Sequence, residues 1–161
     1  MSTKLPPIQP VSSPLLLALH GMPLLRLGFR PFYIGAALLA ALIVPLWVAI
    51  FLGGISWLPT PPPLLWHAHE MLFGFAIAVI VGFLMTAGKA WTGLPTPRGP
   101  ALGALVLLWL AARIAALVAP YPVFAVLDLA LLPTVGVIFL RLLLRSRNMR
   151  NVPLAVILLL L

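Results

Sequence analysis

Runs of about twenty apolar residues recur along this 161-residue chain, and that is the length an α-helix needs to cross the hydrocarbon core of a bilayer. Backbone N–H and C=O groups have no water to bond inside lipid, so a crossing segment must satisfy them internally as a helix. The chain is 63% hydrophobic and only 7% charged, far from the roughly half-apolar, quarter-charged make-up of soluble domains. The sequence therefore predicts an all-α, polytopic transmembrane helix bundle rather than a water-soluble core.

Proline and glycine punctuate the runs. Residues 1–23 read as a mobile amino-terminal tail, because Met1 to Pro14 is rich in Pro and Ser, and His20, Gly21 and Pro23 break up the short apolar stretch after it. No secretory signal is legible there. Leu24 to Phe32, with Arg26 and Arg30 among Leu and Phe, reads as a short interfacial segment. The transmembrane domain is expected over 24–161. Its spans are placed at 31–53, 64–86, 101–119 and 123–144, with Pro45 and Pro133 as kink positions. From Val152 to Leu161 the chain is apolar again for about 15 Å of helix rise, short of a crossing. That reads as a truncated fifth span and as the amino-terminal portion of a longer protein.

Ten Lys and Arg against two acidic residues give a net charge of +8. Their placement excludes nucleic acid as a partner, since the cations flank apolar runs and form no stripe interleaved with aromatics. They precede the first span, lie between the second and third, and follow the fourth, so the positive-inside rule puts the amino terminus in the cytoplasm. Arg141, Arg145, Arg147 and Arg150 then touch anionic lipid headgroups. Trp57, Trp66 and Tyr121 are expected as anchors at the outer interface and Trp91 at the inner one. Cysteine is absent, so thiolate zinc sites, iron–sulfur clusters and disulfides are excluded, and any metal must use His, Met, Glu or Asp.

Chemistry concentrates at the start of the second span, where Trp66-His67-Ala68-His69-Glu70-Met71 places three ionisable side chains within four residues. Such groups are costly in a membrane and mark function or a paired structural role. At 100° per residue His67 shares a face with Met71, Gly74, Ala78 and Gly82, Glu70 lies to its side, and His69 points nearly the opposite way. The Gly74, Ala78 and Gly82 track admits a neighbouring helix or a flat macrocycle close to the backbone. One helix cannot easily offer both histidines to one metal, so this facing favours His67 as an inward metal ligand, with Glu70 placed to orient the ring N–H of a histidine from another helix. Equally open are interfacial histidines bonded to loop carbonyls, Glu70 at a helix amino terminus, and proton transfer. The spacing differs from the His-Glu-x-x-His of zinc proteases, which is rejected. Arg113 and Asp128 each lie five or six residues from the turn Pro120 to Pro122. In an antiparallel hairpin they reach similar depth, where an ion pair would offset their burial.

The strings Gly28-Phe29-Arg30-Pro31-Phe32, Trp66-His67-Ala68-His69-Glu70-Met71-Leu72-Phe73-Gly74, Gly82-Phe83-Leu84-Met85-Thr86-Ala87 and Trp91-Thr92-Gly93 resemble the NnrS family of bacterial membrane proteins. By motif the likeness covers roughly 24–118, departing at Gly88-Lys89-Ala90. It implies a bundle of about a dozen helices in the inner membrane, haem and copper as cofactors, His67 and His69 as ligands with Glu70 behind them, and nitric oxide as small-molecule ligand. The expected function is nitric oxide metabolism or resistance to nitrosative stress. No catalytic residue is assigned. The rival readings are a transporter or channel component, with the proline kinks and the Arg113 and Asp128 pair as gating elements, and a non-catalytic membrane scaffold.

Overall fold

The computed structural model describes residues 21–56 and 62–161. Among them every regular element is helical. A 3₁₀ turn, Pro23–Arg26, leads into α1 (Phe29–Phe51). Helix α2 (Pro63–Thr92) follows, then α3 (Pro100–Val118) and α4 (Tyr121–Arg145). A second 3₁₀ turn, Met149–Asn151, precedes α5 (Val152–Leu160). The first four helices are long and apolar enough to cross a membrane, which makes this an integral membrane protein with an all-α fold. Of the amino-terminal tail only residues 21–23 are described, and Pro23 already opens the first turn. His20, Trp57 and Pro59 to Pro61 lie outside the described residues.

Helix α2 is the most enclosed of the four, with α1 against one side and α3 and α4 against the other. Helix α4 in turn carries α3 and α5. Both α1 and α4 continue through their internal prolines, Pro45 and Pro133. Pro31, Pro63, Pro100, Pro122 and Pro153 all fall in first turns, where a missing N–H costs no intrahelical bond.

Three expectations need correction. Helix α1 starts at Phe29 instead of Pro31, because Pro31 is tolerated within the first turn. The second span runs to Thr92 instead of ending near residue 86. Gly88, two residues beyond the expected end of that span, is buried, and its bare Cα admits Phe139 and Leu142 of α4. The helix stops one residue after Thr92, at Gly93, whose φ of +69° suits glycine and whose N–H returns to the Lys89 carbonyl. Trp66, expected at the lipid interface, is only 1% exposed and packs with Ile43 and Ile50 of α1. The first turn of α2 is tucked against α1, which removes that ring from the lipid boundary. Tyr121 is exposed, and Trp91 sits in the last turn of α2 with its ring against Phe83 and Phe139.

Close backbone approach joins α1 to α2. A Cβ on Gly28 would overlap the Cβ of Met85, a rigid stem atom that cannot swing aside. Gly28→Ala is therefore expected to cost about 1–3 kcal/mol as an overpacked contact. Thermal unfolding in detergent should show the loss, and an unchanged melting temperature would contradict this packing.

Candidate functional site

Helix α2 changes register where its charges begin. Pro63–His69 is α-helical, Glu70–Ala76 is a π-helix with i→i+5 bonding, and Ile77 resumes the α form. Such wide turns recur at functional sites because they re-aim side chains within one continuous helix. Here His67, His69 and Glu70 address three different neighbouring helices.

His67 turns toward α1, where its ring stacks on Trp47 at 4.3 Å between centroids and 19° between planes. Trp47 stacks in turn on Phe51 at 5.3 Å. The Nδ1 atom of His67 is buried and has no hydrogen-bond partner, as is the indole Nε1 of Trp47. Buried polar atoms are usually paired, so each orphan here marks a place where a ligand or water would be stabilised.

Glu70 is 1% exposed and faces α3, where Arg113 is 6% exposed. Arg113 Nη1 donates to both carboxylate oxygens of Glu70, at 3.1 Å each. Its Nη2 donates to Asp128 Oδ1 on α4. His69 faces α4 as well, with Nε2 3.1 Å from Asp128 Oδ2 and Nδ1 3.5 Å from Glu70 Oε1. Phe73 stacks beneath the His69 ring at 4.9 Å and Phe124 meets it edge-on at 5.3 Å. A closed circuit results, in which one guanidinium and one imidazole are shared by two carboxylates from different helices. Pairing of this kind is what permits charge inside a bundle. The chain's two acidic residues, Glu70 and Asp128, are both in this circuit.

The small-residue track does two jobs. A Cβ on Gly74 would stand 3.0 Å from Glu70 Oε2, 3.1 Å from Arg113 Nη1 and 2.6 Å from Leu39, so glycine leaves the space that the ion pair occupies. Ala78 is fully buried, and Gly82 receives Tyr33 and Phe32 of α1. A neighbouring helix fills the track, and a flat macrocycle has no room there.

Trp109 completes the frame and was not singled out from the sequence. Its indole N–H donates to the Gly74 carbonyl at 3.0 Å, inside the π-helical stretch. A carbonyl oxygen carries two lone pairs, so this oxygen can take a side-chain donor. The edge of the same ring lies where a Cβ on Gly35 of α1 would sit, 2.9 Å away. The available signal was position: Trp109 lies in the middle of its span, where an indole N–H needs a buried acceptor, not at an interface.

Beside the circuit a cavity of about 350 Å³ is lined by His69, Asp128, Phe73, Phe124, Tyr121 and a row of alanines from α3 and α4. Among the described residues no group of three His, Asp or Glu side chains is disposed to hold a metal ion. His67 keeps a buried ring nitrogen without a hydrogen-bond partner, whereas both ring nitrogens of His69 already face carboxylates.

No curated protein and no solved structure matches this chain. A family model described as NnrS protein matches residues 23–161, from the first 3₁₀ turn through α5, and so takes in the whole of α2, the charge circuit and both histidines. The helical membrane fold agrees with the family likeness of the four motif strings, and with this match the chain belongs to the NnrS family.

Proposed function

We propose that this protein binds haem and copper in the membrane and serves nitric oxide metabolism or resistance to nitrosative stress. It would lie in the bacterial inner membrane with its amino terminus in the cytoplasm. Family membership supports the nitric oxide setting. The observation that carries the haem reading is the buried, unpartnered Nδ1 of His67, on a ring held in plane by Trp47.

In this reading His67 is the imidazole that would hold haem iron, and the bound group would supply an open position for a diatomic ligand in apolar surroundings. Trp47, itself stacked on Phe51, fixes the orientation of that imidazole and covers one face of it. His69 acts differently, because its two nitrogens face Asp128 and Glu70 and tie the start of α2 to α4. The described residues offer no three-donor group for copper, so the copper part of the proposal rests on the family alone.

The test is the visible spectrum and metal content of full-length protein purified in detergent. A Soret band that collapses in His67→Ala and survives in His69→Ala, provided both variants remain folded, is the expected result. Loss of the band in His69→Ala with retention in His67→Ala would reverse the assignment. An intact wild-type preparation holding neither iron nor copper would end the proposal.

A further inference from the structure

Lys89 lies nineteen residues after Glu70 on α2, on the order of 28 Å along the helix at 1.5 Å per residue, so it reaches the opposite face of the bilayer. At that end Arg26, Arg30, Lys89 and Arg98 line one cavity of about 560 Å³, together with Leu25 and Leu27. Two separate segments build it, residues 25–30 running from the 3₁₀ turn into the first turn of α1, and residues 89–99 running from the last turn of α2 through the α2–α3 loop. They are tied by the Gly99 N–H, which donates to the Leu25 carbonyl at 2.9 Å. Arg30 Nη1 donates to the Pro23 carbonyl at 2.9 Å and steadies the turn.

Four cations converge there without a counter-charge. Both carboxylates of the chain are spent on the circuit at the other end, well beyond a Debye length of about 8 Å. An anion is therefore the complement this cavity lacks.

A second observation selects the kind of anion. Helices α1 and α3 do not pack closely, and between them runs an apolar groove of about 360 Å³ with Trp109 and Arg113 at its floor. Leu24 and Pro31 form its start, in the same 24–31 segment that lines the basic cavity, and Ile34, Leu38 and Leu42 carry it along α1 into the membrane. A cationic cup at the interface adjoining an apolar channel that descends into the bilayer matches one molecular shape, a phosphate headgroup with an acyl chain below it.

We propose that these two features form a binding site for an anionic phospholipid, with the phosphate among Arg26, Arg30, Lys89 and Arg98 and one acyl chain between α1 and α3. The lipid would then close the gap that Trp109 bridges.

Native mass spectrometry of the full-length protein in mild detergent tests this. Added phosphatidylglycerol should be retained as one molecule per chain in preference to phosphatidylcholine. Each Lys or Arg near an anionic headgroup is worth roughly fivefold in affinity, so Lys89→Gln/Arg98→Gln should weaken phosphatidylglycerol on the order of 30-fold. Both side chains are exposed, so folding should survive. The control Arg145→Gln/Arg150→Gln removes the same charge at the same end, outside the cavity, and should change little. Equal loss in both variants, or no preference for phosphatidylglycerol in wild type, would overturn the site. Displacement by millimolar inorganic phosphate would replace a lipid with a free phosphate as its ligand. Leu38→Trp, which blocks the groove, should weaken retention severalfold; unchanged retention would overturn the acyl-chain half.

Discussion

Arg113→Leu is expected to destabilise the protein by about 3–5 kcal/mol, the cost of leaving buried carboxylates without their partner. The reason lies in the circuit. Arg113 donates to both Glu70 and Asp128, and among the described residues Glu70 has besides it only the longer approach of His69 at 3.5 Å. Removing the guanidinium strands two negative charges in a low-dielectric interior, whereas removing all three charges strands none. The triple variant Glu70→Gln/Arg113→Leu/Asp128→Asn should therefore recover much of the loss. Equilibrium unfolding in detergent reads both results. The pair Arg113→Ala and Asp128→Ala should show strong coupling, with the double variant less damaged than the sum of the singles; simple additivity would mean that these two groups do not interact.

Trp109→Ala should cost a similar amount, about 3–5 kcal/mol, because a large buried aromatic is removed and the surroundings can only partly collapse. The ring fills the space between α1 and α3, which otherwise stand apart. Trp109→Phe separates the two contributions. It keeps most of the volume and loses the N–H bond to Gly74, so about 1 kcal/mol is expected from the hydrogen bond alone. If the phenylalanine variant unfolded as easily as the alanine one, the bond to the π-helical carbonyl would matter more than the ring's volume, and Trp109 would not be the packing bridge between α1 and α3.

Much of the architecture could be read along the chain because its causes are local. A run of about twenty apolar residues must become a helix wherever it meets lipid, and Pro and Gly mark where the runs stop, so four spans and a fifth apolar segment followed from hydropathy. Arg113 and Asp128 could be matched by counting inward from the Pro120 to Pro122 turn, since a tight hairpin fixes relative depth. The opposed facing of His67 and His69 followed from helical period.

What the chain could not disclose depends on which helices become neighbours. Glu70 joins Arg113 only because α2 packs beside α3, forty-three residues onward, and because a π-helical turn begins at Glu70 where a uniform 100° step was assumed. Gly88 continues a helix because Phe139 and Leu142 of α4 need the room its missing side chain leaves, a contact no local propensity encodes. Trp66 is buried, and Trp47 meets His67, for the same reason: lipid and a packed helix are equally apolar, so hydrophobicity fixes that a residue lies in the membrane but not whether it faces a neighbour. Sequence determined the spans and the presence of costly charges; tertiary packing alone decided how those charges are paired, because pairing rests on distances between helices rather than on order along one.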